Sequence, residues 1–107
     1  MYYIYLLRCT DGTIYTGIAT DLARRIKEHR SGTCPHCKYT RAHTPEGVCA
    51  AWQSADRASA SRLEYRLKRL RKIQKENLAQ GEDLSSVFSD QEFCEAYLRL
   101  PPEEFDV

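Results

Sequence analysis

Four side chains near the start of the chain have types suited to phosphate chemistry. They are Tyr5, Tyr15, Arg25 and His29. A guanidinium remains charged and binds phosphate oxygens, phenols supply hydroxyl donors, and an imidazole can take or release a proton near neutral pH. Together these groups form a set suited to holding a phosphodiester and cutting it. A carboxylate on a later segment, Glu64, is the further group that bears on this chemistry.

The two tyrosines must be positioned by a hairpin. Residues 2–9 and 13–18 are rich in aromatic and β-branched types, which favour strands. The pair Asp11-Gly12 lies between them and is a strong short-range signal for a tight turn. The sequence therefore predicts two antiparallel strands joined by a short loop.

The length of that loop decides where the two phenols point. A two-residue loop would put Tyr5 and Tyr15 on opposite faces, because side chains alternate along a strand. A three-residue loop over 10–12, with Gly12 in the left-handed conformation, pairs Leu7 with Tyr15 instead. We predict this second register, which makes the two phenols diagonal neighbours on one face of the sheet.

A helix over residues 20–31 must bring the arginine and the histidine to the same face. Thr20 or Asp21 can cap its start, and Gly32 is a typical residue just beyond a helix end. If the apolar stripe of this helix packs on the sheet, Arg25 lies beside the stripe, at the edge of the interface between helix and sheet and near both phenols. The stripe consists of Leu22, Ile26 and His29.

Three segments carry a resemblance to a known family. Tyr3-Ile4-Tyr5, Tyr15-Thr16-Gly17 and the run ARRIKEH over 23–29 resemble the GIY-YIG nucleases, in particular their small stand-alone bacterial members of the YhbQ type. The resemblance covers roughly residues 2–75. The triplets depart from the family pattern in that Tyr3 replaces the first glycine and Thr16 replaces an isoleucine. Both phenols and the second glycine are kept.

The resemblance implies metal-dependent endonuclease cleavage of DNA, on single-stranded or branched substrates. In the family match, Arg25 rather than Arg24 falls on the catalytic arginine position. Arg24 is then a candidate contact to the nucleic-acid backbone, as is Lys68 on the later helix. Lys38 and Arg41 match a lysine-tyrosine-threonine-arginine run of the family and are further candidate backbone contacts. Solvation of a surface loop is the simpler explanation for that last pair.

The reaction itself suggests a role for each group. Tyr5 positions or deprotonates the attacking water, which requires an adjacent cation to lower its phenol pKa from about 10. Tyr15 hydrogen-bonds the phosphate or shares the base role, and Arg25 stabilises the transition-state charge. His29 orients a tyrosine or relays a proton. Without the motif, both phenols could be ordinary sheet aromatics, Arg25 a surface residue and His29 a cap of the helix end.

Glu64 is the only acid between Arg57 and Lys75, a segment with eight Lys and Arg residues. It follows the core residue Leu63, so it lies at the edge of the buried stripe and can face the sheet. From spacing alone, an ion pair with a neighbour such as Lys68 is the simpler interpretation. The resemblance implies instead that Glu64 ligates a divalent cation, Mg²⁺ or Mn²⁺, through hard oxygen atoms.

The charge of the chain is strongly asymmetric. Its 107 residues carry a net charge of +1, but residues 1–80 hold 15 Lys and Arg against 7 acids. Residues 81–107 hold 1 basic residue against 8 acids. A basic body is what binding to a phosphate backbone needs, although a solvated charged surface would look the same. We divide the chain into a catalytic domain over 1–80 and an acidic extension over 81–107.

The second half of the chain predicts the rest of an α+β fold. Residues 48–54 form a third antiparallel strand anchored by Trp52, and a long helix follows over 57–79. The predicted stripe of that helix is Ala60, Leu63, Leu67, Leu70 and Ile73. In the extension, Ser89 and Glu92 form a capping box for a further helix. The predicted architecture is a small three-stranded sheet flanked by helices, with an added C-terminal helix that docks on the body.

The acidic extension has two interpretations. Its acids could lie over the basic groove and compete with nucleic acid, or it could be a docked helix with a solvated acidic face. The second is simpler.

Five cysteines without an export signal argue against a disulfide framework. Cys9, Cys49 and Cys94 are most simply small core residues. Cys34 and Cys37 form a single CxxC pair, and the second pair that would make a strong zinc motif is missing. A reduced loop is the simplest interpretation. Zinc bound with His29, His36 or His43, or a redox pair, are the alternatives.

Other functional classes also fit parts of the sequence. A non-catalytic nucleic-acid-binding module would need the basic residues but not Glu64, and a zinc-binding adaptor would depend on Cys34 and Cys37. No apolar run approaches the length of a membrane span, and the start at Met1 has no signal-peptide pattern, so we expect a cytoplasmic protein whose partner is DNA. Repair, recombination and defence against foreign DNA are all compatible pathways.

Overall fold

The computed structural model describes residues 1–33 and 43–101. Lys38, Arg41, Cys34 and Cys37 therefore lie outside the described residues. The described strands are β1 (Tyr2–Cys9), β2 (Ile14–Ala19), β3 (Pro45–Ser54) and β4 (Leu98–Arg99). The described helices are α1 (Leu22–Ser31), α2 (Arg57–Lys68), α3 (Lys72–Ala79) and α4 (Gln91–Glu95), with a 3-10 turn at Leu84–Ser86. None of these helices is long and apolar enough to cross a membrane.

The sheet is antiparallel and has the strand order β2-β1-β3-β4. The α+β class and the three predicted strands are confirmed, and β3 begins three residues earlier than predicted, at Pro45. The strand count was wrong by one. Two residues of the extension, Leu98 and Arg99, pair with Gln53 and Trp52 at the edge of β3.

The central strand β1 is buried on both faces, which explains its nearly continuous apolar sequence. Ile4 and Leu6 pack with Trp52 and with the inner face of α2. Tyr5 and Leu7 point to the other side, where they pack with a cluster that includes the inner residues of α1. The sheet is therefore enclosed between α1 on one face and α2 and α3 on the other.

The predicted long helix over 57–79 is interrupted. Helix α2 ends at Lys68, and α3 begins after Arg71, whose backbone N–H donates to the Gln74 side chain at 3.0 Å. The predicted stripe holds for Ala60, Leu63 and Leu67, but Ile73 is 58% exposed. The change of direction instead buries Leu78 and lets Glu76 accept two hydrogen bonds from Arg8, at 2.8 and 2.9 Å. These tertiary contacts favour the break, and no glycine or proline marks it.

The extension docks on the body, as predicted, but by a different structure. Asp90, not Ser89, caps α4, and the helix ends at Glu95 before the chain becomes extended. Arg99 lies over the Trp52 ring at 5.3 Å and donates to the carbonyls of Leu78 in α3 and of Glu82 beyond its end. Leu100 is 6% exposed and packs in the same cluster as Tyr5. The extension therefore completes both the sheet and its core.

A pair of leucines tests this docking. Replacing buried Leu100 by alanine should lower the free energy of unfolding by about 3 kcal/mol, because it removes apolar contacts and leaves a cavity. The matched change Leu98→Ala, at a side chain that is 64% exposed, should stay within about 0.5 kcal/mol. Urea denaturation of both variants measures the difference. Equal effects would mean that the end of the extension is not part of the core.

Thr16 stands where the family triplet has isoleucine, and it lies opposite Leu6 in the interior. Its hydroxyl oxygen is the buried side-chain polar atom without a hydrogen-bond partner in the described part of the chain. A buried hydroxyl without a partner costs free energy. The departure from the family pattern is thus a local weakness of the fold.

Replacing Thr16 by valine should raise the free energy of unfolding by about 1 kcal/mol, because a methyl group takes the place of the unpaired hydroxyl. Thr13→Val is the control, since the Thr13 hydroxyl donates to Asp11 at 2.6 Å and its loss should not stabilise. Thermal and urea unfolding measure both. A destabilised Thr16→Val variant would contradict this assignment.

Candidate active site

The hairpin has the predicted three-residue register. The Cys9 N–H donates to the Thr13 carbonyl at 2.9 Å, and Gly12 closes the loop with a φ of +85°. Leu7 then lies opposite Tyr15. Tyr5 and Tyr15 point to the same face, with ring centroids 6.2 Å apart. The predicted pairing of the two phenols is confirmed.

Gly17 lies opposite Tyr5 on β2 and has no side chain to block it. A Cβ built at this position would collide with the Tyr5 hydroxyl and would lie 2.9 Å from the Tyr15 ring. The glycine therefore leaves the space in which the Tyr5 phenol crosses β2. Sequence reasoning noted this residue as part of the triplet but gave it no steric role; its position opposite a tyrosine in the predicted register is the signal that could have shown it.

His29 joins this pair from the last turn of α1, where Gly32 ends the helix in the left-handed conformation. The Tyr5 hydroxyl and His29 Nε2 are hydrogen-bonded at 2.7 Å. The imidazole meets both phenol rings edge-on, at centroid distances of 5.7 and 5.3 Å. It is only 2% exposed, so it faces the sheet and does not serve as an exposed cap of the helix end.

Arg25 lies on the same helix and reaches the backbone of β2. It donates from Nε to Glu28 at 3.1 Å and from a terminal nitrogen to the Ile18 carbonyl at 3.3 Å. Glu28 therefore positions the arginine, a role that sequence reasoning missed although the three-residue helical spacing predicts such contacts. Burial raises the pKa of both phenols, and the charge of Arg25 acts in the opposite direction.

Glu64 approaches from the opposite face of the sheet, on α2. Its carboxylate is 23% exposed and forms an ion pair with Lys68 at 3.7 Å, one helical turn away. The ion pair that the simpler interpretation of Glu64 predicts is thus formed, but a pair of this kind contributes under about 1 kcal/mol to stability. The negative charge of Glu64 also raises the pKa of Tyr15 and of Tyr5. Tyr5, Tyr15, His29 and Arg25 therefore lie together on the α1 face of the sheet, and Glu64 lies on the helix that covers the other face.

Burial controls the proton affinities in this cluster. The pKa of Tyr5 is raised well above its ordinary value, first by burial and then by the nearby Tyr15, and the lowering effect of Arg25 does not offset this. Burial also raises the pKa of Tyr15. Burial lowers the pKa of His29 to about 4, and the charge of Arg25 acts in the same direction. Near neutral pH the phenols are therefore protonated and the imidazole is neutral, and the charge of Arg25 alone does not bring the Tyr5 pKa below its ordinary value.

The donor set restricts the kind of metal that the site can hold. Among residues 1–33 and 43–101, no group of three or more His, Cys, Asp and Glu side chains could enclose an ion. A single carboxylate at an open edge fits Mg²⁺ or Mn²⁺, since Mg²⁺ keeps several waters and is bound by one or two carboxylates with substrate phosphates. Glu64 provides such a carboxylate.

The other predicted contacts are spread more widely. Arg24 has a side chain that is 77% exposed and an outer ion pair with Glu28 at 4.0 Å. Lys68 is 55% exposed. His43, considered as a zinc ligand, pairs with Asp11 at the hairpin loop. Cys9, Cys49 and Cys94 are free thiols, as expected.

Residues 1–77 match the family model of the GIY-YIG catalytic domain. The chain belongs to the GIY-YIG family. Membership implies a nuclease-type function and interaction with nucleic acid. The match ends before the extension, so the matched range contains the tyrosines, Arg25, His29 and Glu64 but not residues 81–101.

Relatives of similar size share this domain. A UPF0213 protein of Halobacterium salinarum is 42% identical over 78 residues, which cover 73% of this chain and 99% of the relative. One from Halalkalibacterium halodurans is 44% identical over 77 residues, 72% of this chain and 80% of the relative. The UPF0213 protein YhbQ of Salmonella typhimurium is 44% identical over 77 residues, covering 72% and 75%. These names state no activity.

A solved structure is also similar. The solution NMR structure of a UPF0213 protein from Bacillus halodurans is 38% identical, with a TM-score of 0.46. The match covers 89% of this chain and 94% of that chain.

The neutral, buried His29 makes stability depend on pH. Its pKa is about 4 in the folded protein against an ordinary value of 6.5, so the unfolded chain binds more protons between these values. Stability should therefore fall as the pH drops through this window, by on the order of 2–3 kcal/mol at pH 4.5.

Urea unfolding at pH 7 and at pH 4.5 measures this loss. Carboxylates titrate in the same range, so His29→Gln is the matched control and should lose less stability than the wild type over the same interval. Equal losses in the two proteins would mean that His29 does not carry the effect.

Proposed function

We propose that the protein is a metal-dependent endonuclease that hydrolyses phosphodiester bonds in DNA, with single-stranded or branched DNA as its substrate. The observation that carries the proposal is the buried hydrogen bond of 2.7 Å between the Tyr5 hydroxyl and a neutral His29, beside Tyr15 and Arg25. A protonated phenol in contact with a neutral imidazole can pass on a proton without becoming a stable phenolate.

In this proposal the attacking water hydrogen-bonds to Tyr5. As the water attacks phosphorus, its proton passes to the Tyr5 oxygen while the phenol proton passes to His29 Nε2. The relay needs an unprotonated acceptor, and burial keeps His29 neutral at pH 7 by lowering its pKa. Tyr15, also protonated, donates a hydrogen bond to a non-bridging oxygen of the scissile phosphate.

Arg25 stabilises the negative charge that develops on the phosphate. Its contacts with Glu28 and with the Ile18 carbonyl fix the guanidinium in advance, which avoids the cost of reorganisation during the reaction. The side chain remains 26% exposed, so a substrate oxygen can reach it.

Glu64 is the residue that would hold the divalent cation, Mg²⁺ or Mn²⁺, on the leaving-group side. When bound, such a cation neutralises charge on the phosphoryl oxygens and stabilises the leaving oxygen. Lys68 competes with the cation for the carboxylate, but it is exposed and can move to a phosphate of the nucleic acid. Arg24, Lys38 and Arg41 are proposed to bind the backbone in the same way.

Cleavage of labelled single-stranded, duplex and branched DNA with Mg²⁺ or Mn²⁺ tests the proposal. Glu64→Gln should abolish cutting while binding is retained, because only the cation ligand is lost. Arg25→Ala should lower the rate by on the order of a hundredfold or more. Glu92→Gln and Arg62→Ala are matched controls on exposed helix positions outside the site and should keep activity near that of the wild type.

Two outcomes would overturn the proposal. If the wild type binds all three substrates and cuts none with either metal, the protein is a nucleic-acid-binding module without turnover. If Glu64→Gln cuts as fast as the wild type, the cation is not held by this carboxylate.

A further inference from the structure

A cleft lies beside the phenol cluster, between the first turn of α2 and the helix that carries Arg25. Its volume is about 210 Å³, and it is open to solvent. It is lined by Tyr2, Ile18, Ala19, Thr20, Arg25 and Arg57. No carboxylate is among these residues, so two arginines line a space without a lining anion. Such a cleft favours an anionic ligand.

Arg57 is the less committed of the two arginines. It is exposed, and within residues 1–33 and 43–101 its guanidinium has no ion pair and no hydrogen-bond partner. The preceding residue, Asp56, accepts a hydrogen bond from the Ser59 N–H at 2.7 Å and caps the helix. Arg25, in contrast, is held by Glu28 and by the Ile18 carbonyl. The cleft thus combines Arg25, whose guanidinium is held in place, with Arg57, whose guanidinium can change its position.

The position of Arg57 connects this cleft to the catalytic residues. Arg57 precedes Glu64 by seven residues, about two helical turns, so both lie on the same face of α2. Arg25 belongs to the cleft and to the surroundings of both phenols. A nucleic-acid strand carries one phosphate per nucleotide, so a strand with its scissile phosphate at the phenols must place a neighbouring phosphate further along the β2 edge.

We propose that Arg57 binds the phosphate next to the scissile one, in the cleft that it shares with Arg25. This inference rests on the proposed function for the identity of the scissile phosphate. Arg57 would fix the register of the strand, so that the correct phosphodiester meets Tyr5 and Glu64. A guanidinium suits this task because its donors match two phosphate oxygens at once. The hydroxyls of Tyr2 and Thr20 provide further donors in the cleft lining.

Substrates with a single neutral linkage test the contact. In an oligonucleotide with a mapped cleavage site, each flanking phosphate is replaced in turn by an uncharged methylphosphonate. For the wild type, one replacement should lower kcat/KM by about tenfold or more, since it removes a charge-assisted contact. Arg57→Ala should show a similar loss of kcat/KM on the unmodified substrate. When the Arg57→Ala variant is given the substrate with that neutral linkage, its kcat/KM should fall little further, because the substitution and the neutral linkage remove the same contact.

Arg62→Ala is the matched control. Arg62 lies on the same helix and is exposed, but it does not line the cleft and donates to the Ser59 hydroxyl. This variant loses the same charge and should keep the full sensitivity to the neutral linkage. Arg57→Lys should recover part of the loss through its charge. Thermal unfolding of all variants, each changed at an exposed position, checks that they are folded.

A binding arm separates the two proposals. Affinity for the same oligonucleotides is measured in a Glu64→Gln background, where cutting is blocked. In one outcome, the wild type cuts DNA, but each neutral linkage lowers kcat/KM of Arg57→Ala as much as it lowers that of Arg62→Ala. The proposal for the cleft is then wrong and the nuclease proposal stands. If nothing is cut, each linkage of the oligonucleotide is replaced in turn; one neutral linkage that weakens the binding of the parent but not of its Arg57→Ala form then means that the nuclease proposal fails while Arg57 still binds a phosphate.

Discussion

The hydrogen bond between Tyr5 and His29 is the constraint on which the site depends. It links the central strand to the last turn of α1, and both partners are buried. It forms only if the Tyr5 phenol can cross β2, which requires glycine at position 17, and only if α1 ends where His29 faces the sheet. Because the pair is buried, its proton affinities differ from those of the free side chains. The pKa of Tyr5 rises and that of His29 falls, so the interior that positions the two groups also makes them a neutral relay.

The parts of this arrangement that local sequence determines were predictable. Asp11-Gly12 fixes the loop, the loop fixes the register, and the register brings Tyr5 and Tyr15 to one face. Asp21 and Gly32 define the ends of α1 through a side-chain cap and a left-handed residue.

The parts that depend on distant contacts were not predictable in the same way. The break between α2 and α3 buries Leu78 and aligns Glu76 with Arg8, a contact between residues 68 positions apart. The fourth strand exists because Arg99 packs on Trp52 and Leu100 enters the core, and a two-residue strand has too little sequence to show a period. Likewise, helical spacing showed that Arg25 and His29 share a helix but not that burial would lower the pKa of the histidine.

The structure of the extension shows where its acidic side chains lie. Glu82, Asp83, Asp90, Glu92 and Glu95 are all exposed, while the apolar residues between them pack on the body. This pattern agrees with a docked element that has a solvated acidic face. Its contacts with the basic helix α2 are made by apolar and polar groups: the Arg66 guanidinium lies 3.8 Å from the centre of the Phe93 ring, and the Tyr97 hydroxyl donates to the Ser59 carbonyl at 2.6 Å. Competition of the acids with nucleic acid remains a hypothesis.

The topology of the sheet allows candidate residues from its two faces to come together at an edge strand. Tyr5 and Arg25 belong to the α1 face of the sheet, whereas Glu64 belongs to the α2 face. Groups from opposite faces cannot meet through a buried central strand, but they can meet around a strand that has one neighbour. Among the described strands, β2 is such a strand, because it pairs with β1 alone. An open edge exposes unpaired backbone groups, and Arg25 covers one of them by donating to the Ile18 carbonyl. The same contact therefore covers a backbone group at the edge and fixes the position of the guanidinium.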